Sequence, residues 1–550
     1  MYQTTRIRRR HIRYVRLSCL AGAGCACVLI CAVLLAGLMR ADLRYVGAFR
    51  PIEELWDMED ARQESPVPLL TRLALGESLL GYDRESNTFY CTLGMETEDS
   101  WPDLPLQILA DQGVSACFAD DYTYDSCREA IRQGTAYQLF TWTETAFSYA
   151  QIVFTGLPQV CLHVNQPLSS DDTPGEVRYS DGNAGLHSDA LLHLRGSATR
   201  FAEKSAYTLK FTKDASSLKK IYLDIPGFGL ERKLILLPMI YDRLLMREKL
   251  SWDIWSELLP EDSLWGSRKT QYVEVFANDS YRGVYLLAEP YDLKAEFTAH
   301  EPEEFASIYR TISMVSHGEG GRPTLLVPDW PERGIELRYS SEDGDFTGLD
   351  AWIDLICEPD DAVFAQKAAQ HVDIDSMCRY LLYTQACGLA DNFSNNMYIC
   401  SSAPAPHSYY SFYPWDLDIS WGLRTNRVGQ AYDHWLYFQV ADRILNLDVA
   451  GARQRLANHW REMRQSVMTE AHVLELVEGY EALLTDSGAA LRNAERWNVG
   501  DADLDGTALT EFAFDRFLWL DGMVSRIAGT KEPLPFLARS VIGEDAGTSD

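Results

Sequence analysis

The stretch Asp391-Asn-Phe-Ser-Asn-Asn396, followed after a hairpin-like interval by Pro414-Trp-Asp-Leu-Asp418, decides how the chain reads. Phosphoryl transfer needs a group that takes or orients the proton of the attacking hydroxyl, and two or three oxygen ligands that hold a divalent cation against a polyphosphate. Asp391 and Asn396 stand five residues apart, and Asp416 and Asp418 follow two short strand-like runs. Those runs, Met397-Tyr-Ile-Cys400 and Tyr409-Tyr-Ser-Phe-Tyr413, flank a loop from Ser401 to Ser408 whose prolines forbid continued pairing. Paired as a hairpin, they set Asn396 roughly opposite Tyr413 and bring Asp416 within about 10 Å of extended chain. Upstream, Met377, Tyr380, Leu381, Thr384 and Gly388 recur at helical spacing, so Asp391 falls in the turn after a packed helix.

Two other readings stay open on these residues alone. Asp and Asn are common turn formers, and Trp-Asp-Leu-Asp contains the D-x-D with which many glycosyltransferases hold a metal-bound sugar nucleotide. The βαβ half that binds the nucleotide sugar in such enzymes is not evident before the motif. A catalytic Asp, an Asn five residues on and an Asp just past a pair of strands is the order used by protein kinases.

A second constellation lies upstream, where the charge of the chain reverses. Arg195, Arg200, Lys204, Lys210, Lys213, Lys219, Lys220, Arg232 and Lys233 are accompanied only by Glu203, Asp214, Asp224 and Glu231, within a protein of net charge −30. A chain so acidic is repelled by nucleic acid, so the local excess points to a small polyanion. In Ala206-Tyr-Thr-Leu-Lys-Phe211, Tyr207, Leu209 and Phe211 share one face of a strand and Lys210 takes the other. The plain alternative is a solvated basic face at a sheet edge, where lysines guard against aggregation.

Taken in order, these segments resemble the CotH family of spore-coat protein kinases, whose fold is atypical but kinase-like. The resemblance runs through Leu194-Arg-Gly-Ser-Ala-Thr-Arg200, Lys204-Ser-Ala-Tyr-Thr-Leu-Lys210 and Asp242-Arg-Leu-Leu-Met-Arg247. It continues through Tyr272-Val-Glu-Val-Phe, the turn at Asn278 and Tyr281 to Glu289, then Asp391 to Asn396 and Pro414 to Asp418, covering about residues 160 to 530. It implies that Asp391 is the catalytic or metal-associated carboxylate and that Asn396 and Asp416, with Asp418, belong to the metal site. It further implies that Arg195, Arg200, Lys204 and Lys210 contact the phosphates of ATP, with Mg²⁺ or Mn²⁺ as the metal and a protein Ser or Thr as acceptor. Asn278-Asp-Ser-Tyr281 departs from the family's Asn-Gly turn, and Ala198 replaces a small polar residue. Neither change removes a charged site residue. Asp242 and Arg247 read as a helix N-cap and a packing ion pair.

Length and composition bound the rest. At 550 residues the chain accommodates two or three domains. Six arginines and no acid occupy the first sixteen residues, and Leu17 to Met39 carry no charge. That run, about 34 Å as a helix, is long enough for a ~30 Å hydrocarbon core, and the arginines predict a cytoplasmic N-terminus. A cleavable signal peptide is disfavoured because its apolar core would be shorter and no clear small-x-small cleavage site precedes Arg40. No cysteine pair has C-x-x-C spacing, which argues against a zinc ribbon, although Cys117 and Cys127 are near enough in sequence to bridge.

The expected organisation is a basic cytoplasmic segment (1–16), a transmembrane helix (17–39), a stalk (40–79), a β-rich domain (80–160), a kinase-like α+β domain with a helical C-terminal part (161–535) and a disordered tail (536–550). Asp501-Ala-Asp-Leu-Asp-Gly506 opens like a calcium loop, but Phe512 stands where the closing Glu belongs, so an acidic turn is expected instead. The resulting expectation is a single-pass membrane protein with its bulk outside the cytoplasm, moving the γ-phosphoryl of ATP to an unidentified protein in the cell envelope or spore coat. The alternatives are a catalytically silent scaffold of the same fold and a D-x-D glycosyltransferase.

Overall fold

The computed structural model describes residues 44–47, 49–94, 104–109, 113–119, 126–196, 199–214, 219–259, 266–291, 307–311, 335–340, 347–393, 395–402, 405–424, 427–499 and 504–537. The expected transmembrane segment 17–39 and the basic segment before it lie outside these residues, as does the tail beyond residue 537. Among the described residues no helix is long and apolar enough to cross a membrane. With 36% helix and 31% strand the architecture is mixed α+β, as expected.

The centre of the molecule is a closed seven-stranded barrel. Its strands are β1 (Gln159–Val164), β2 (Thr173–Ser180), β3 (Gly185–Arg195), β4 (Ala206–Phe211), β5 (Lys233–Leu237), β6 (Thr270–Ala277) and β7 (Tyr281–Ala288), in the order β1-β2-β3-β4-β5-β7-β6. Parallel pairing of Gln159 with Glu274 closes the ring. Alternate residues point inward and form one core: Leu192, Leu209, Leu234, Val275 and Leu287. On β5, β6 and β7 the other alternates, including Ile235, Leu237, Tyr272, Val284 and Leu286, are equally buried but in a different core, that of the C-terminal lobe. This is why Lys233-Leu-Ile-Leu-Leu237 reads as a continuous apolar run, the pattern of a strand covered on both faces.

The C-terminal lobe packs on that outer wall. It contains a four-stranded sheet of β8 (Ser307–Thr311), β9 (Ile335–Ser340), β10 (Met397–Ser401) and β11 (Tyr410–Pro414), in the order β9-β8-β10-β11. Three of its helices matter below: α1 (Arg247–Leu258), α2 (Ile374–Cys387) and α3 (Ala489–Trp497). Helix α2 is the packed helix expected before Asp391. Asp373 caps it by accepting from the Ser376 amide, and Gly388 ends it in a left-handed conformation with φ 70°. The Asp242–Arg247 ion pair forms as expected, but the N-cap residue of α1 is Met246 and not Asp242. Asp242 accepts from the amides of Met246 and Arg247, each at 2.8 Å, and pairs with the Arg247 guanidinium.

The N-terminal unit is β-rich, but it begins earlier than the composition suggested. Residues read as a stalk supply helix Ile52–Asp60 and the strands Leu73–Leu75 and Ser78–Leu79, and Gln63–Glu64 pairs with Ala146–Thr155. The reason is apolar: Leu55, Leu70 and Leu73 are fully buried, and the acidic residues that suggested a stalk occupy the helix's outer face. Cys117 and Cys127 belong to separate cores and form no disulfide.

One buried ion pair ties all three units together. Arg492 on α3 donates to Glu274 of β6 at 2.9 and 3.0 Å, to Thr155 Oγ1 at 2.8 Å and to the Ser487 carbonyl at 2.9 Å. Glu274 is fully buried and also accepts from the Tyr281 hydroxyl at 2.6 Å. Removing one partner strands the other charge in a low-dielectric seam. Arg492→Met is therefore expected to lower the unfolding free energy by about 3–5 kcal/mol. The double substitution Arg492→Met with Glu274→Met is expected to recover much of that loss, measured by denaturant unfolding of both variants.

Candidate functional site

Helix α2 delivers Asp391 to the base of a cleft, because its Gly388 terminus turns the chain into the short 3-10 helix Ala390–Phe393. Asp391 Oδ1 accepts from Asn395 Nδ2 at 2.6 Å, and its Oδ2 accepts from Asn396 Nδ2 at 2.9 Å. The five-residue spacing thus becomes a direct hydrogen bond. Asn396 is held in the left-handed region, φ 54°, where Asn is among the most tolerant residues. Its amide donates to the Thr311 carbonyl at 3.1 Å.

The hairpin forms as expected, with a register two residues longer. Met397 pairs with Pro414 and Tyr398 with Tyr413, so Asn396 faces Trp415 and not Tyr413. Trp415 donates its amide to the Asn396 carbonyl at 2.9 Å. Asn392, which the sequence did not single out, clamps the open end: its Nδ2 donates to the carbonyls of Asn396 and Trp415, at 3.2 and 2.7 Å. Asp416 then leaves the strand in a left-handed conformation, φ 60°.

Asp416 keeps part of its surface open to solvent while neighbouring protein desolvates its carboxyl. Burial raises its carboxyl above the usual range. Arg195 and Arg310 oppose that rise, and Asp391 adds to it. Asp418 is pushed up to about 8 by burial and then by Asp416 and Asp242. A third carboxyl completes the set. Glu248, near the start of α1 and 4% exposed, is held well above the carboxylate range by burial, Asp418 and Asp416, with Arg195 working against them. Arg195 itself lies with its guanidinium 5.5 Å from the Trp415 ring.

Carboxyls crowded in this way retain protons unless a cation replaces them. Their donor set is all oxygen, which suits a hard divalent ion. Among the described residues no three His, Cys, Asp or Glu side chains form a ready-made metal cage. Asp416 and Asp418, the first of which acts on the charge of the second, are the carboxylates that would hold such an ion.

Of the four cations expected at phosphate, only Arg195 meets this cluster. Arg200 is exposed and stacks 4.7 Å from the ring of Phe201. Lys204 is buried, donating to the Val284 carbonyl at 2.6 Å and to Asn493 Oδ1 at 3.0 Å. Lys210 faces away from Tyr207, Leu209 and Phe211 as expected, but it is engaged by Asp172 at 2.8 Å, which His193 also contacts at 2.7 Å. Strand register explains the separation. Arg195 pairs with Ala206, so Lys210 lies four residues, or about 13 Å, further along the strand. Sequence reasoning missed Glu248 and Arg310. Glu248 directly follows the Asp242–Arg247 motif, which was the available signal, whereas nothing around Arg310 marks it.

Lys204 supplies a test of these assignments. Its amine is pushed down to about 7 by burial and then by Arg282, so above that pH it donates to its two acceptors as a neutral group. Between pH 7 and the usual lysine value near ~10.4 the unfolded chain binds a proton that the folded chain does not, so stability rises with pH across that window. Denaturant unfolding at a series of pH values is expected to show this rise, and Lys204→Met is expected to flatten it.

A family model described as CotH kinase protein matches residues 192–515, more than half of the chain. No curated protein matches.

Proposed function

The chain belongs to the CotH kinase family, and on that premise we propose that it transfers the γ-phosphoryl group of ATP to a Ser or Thr hydroxyl of a protein. The observation that carries this is the Asp391–Asn396 hydrogen bond set beside Asp416 and faced by Arg195. Both Asp391 oxygens accept hydrogen bonds from amides that leave lone pairs for an incoming hydroxyl, so Asp391 orients the acceptor and takes its proton. Asp416 and Asp418, with Asn396, hold the divalent ion, which supplies neutralisation of phosphate charge when bound. Arg195 and Arg310 add fixed positive charge on the same side, and stabilisation of this kind supplies most of the rate in phosphoryl transfer.

Incubating the full chain with labelled ATP and Mg²⁺ or Mn²⁺ tests the activity. Label on protein that disappears in Asp391→Asn is the expected result, and no incorporation under any metal would make the chain a silent scaffold. The two carboxylates are expected to separate. Asp416→Asn loses metal-dependent nucleotide binding, whereas Asp391→Asn binds Mg-ATP and fails to transfer. Thermal shift reads this out, since a ligand at about a hundred times its dissociation constant stabilises by about 2.7 kcal/mol. Equal loss in both variants would make both residues metal ligands.

We propose further that the arginine-flanked apolar run Leu17 to Met39 anchors the chain in a membrane, with the catalytic region outside the cytoplasm and its acceptor in the envelope or a spore coat. Protease added to intact cells is expected to remove the region beyond residue 42 and spare a tag at residue 1. The reverse pattern would invert the topology.

A further inference from the structure

The N-terminal unit and the barrel touch along a seam that is pinched at one place and open beside it. At the pinch, Gly81 approaches so closely that a Cβ there would lie 2.5 Å from Gln159 Oε1 and 2.6 Å from the Phe276 ring. Its amide donates to Gln159 at 2.9 Å, and Gln159 in turn donates to the Tyr90 carbonyl at 2.8 Å. A second tie, the Arg84 amide to the Asp279 carbonyl at 2.8 Å, fixes the same strand to the β6–β7 turn. Next to these ties the two surfaces diverge around a cavity of about 610 Å³. Its volume falls within the range of small-molecule sites, and the ties make it preformed.

The lining has two characters. Leu80, Tyr82 and Phe276, all buried residues, make its apolar floor. The rim is charged, but most of its charge is already matched. Arg84 pairs with Asp279 at 2.6 Å, and Arg178 with Glu176 at 3.3 Å. That leaves Arg72, which makes no ion pair among the described residues, with His163 on the same rim. Among the described residues the rim therefore carries one uncompensated positive charge above an apolar floor. Cys161 also lines the cavity, but burial pushes its thiol up to about 12, so it offers neither a nucleophile nor a metal ligand near neutral pH.

We propose that this cleft is a binding site for a small anionic amphiphile, an aromatic or aliphatic carboxylate whose apolar body rests on Leu80, Tyr82 and Phe276 while its anion meets Arg72. The site shares no residue with the cluster around Asp416, and the proposal is independent of phosphoryl transfer. A guanidinium offers a carboxylate two parallel hydrogen bonds, so the neutral amide of the same ligand loses the charged half of the interaction.

The probe is para-fluorophenylpropanoate, titrated against the full chain and followed by fluorine NMR line broadening. Saturable binding is expected, weakened at least tenfold in Arg72→Glu and at least tenfold for para-fluorophenylpropanamide. Arg72 is exposed, so its substitution leaves folding intact. A second variant, Leu79→Trp, fills the cavity from its half-buried wall and is expected to abolish binding while melting and the Arg492 seam stay as they were. Absence of saturable binding overturns the proposal. So does equal affinity for carboxylate and amide, or an unchanged affinity in Arg72→Glu.

Discussion

Burial of one barrel wall on both of its faces is the constraint on which the remaining structure depends. Strands β5, β6 and β7 send alternate side chains into the barrel and the others into the core of the C-terminal lobe. At about 25 cal/mol per Å² of apolar surface, separating the lobes would expose Ile235, Leu237, Val284 and Leu286 at a cost of several kcal/mol. The lobes are therefore held in one relation. Arg195, at the end of β3, faces Asp416 and Glu248 from the other lobe because of it.

The site inherits its properties from this arrangement. Asp391 and Asn396 are fixed locally, by the end of α2 and by the hairpin, and need little else from the fold. Asp416, Asp418 and Glu248 are different. Their raised carboxyl values come from burial between lobes and from each other, with Arg195 and Arg310 as partial compensation. Such a cluster is costly without a cation, and sites that store electrostatic stress of this kind tend to be functional.

Basic residues in the same segment went to three separate fates, and the causes are geometric. Arg195 stands at the cleft. Lys204 lies beyond the start of β4 and plugs a gap between Val284 and Asn493, while Lys210 lies towards the far end of β4 and meets Asp172. Charge counted along the sequence could not separate these, because about 3.3 Å per residue along a strand carries neighbours in sequence well apart in space. The opposite error occurred near the N-terminus. The acidic residues of 52–60 suggested a stalk, but Leu55 packs inward and Gln63–Glu64 joins the sheet.

What the sequence by itself determined is whatever rests on short-range periodicity and spacing. Helix α2 followed from its apolar repeat, the hairpin from its strand runs and prolines, the Asp391–Asn396 pair from five intervening steps of chain, and the Asp242–Arg247 pairing from its spacing. The family was legible for a related reason, since several such local motifs occur in one order. Only the tertiary structure decided which cation meets the acidic cluster, that Glu248 belongs to it, that Arg492 joins three units, and that a cavity opens beside Gly81. Each of these is a meeting of residues tens to hundreds of positions apart, set by strand register and lobe packing. Local pattern carries no information about such encounters, because what brings them together is the burial of apolar faces and not the charged residues themselves.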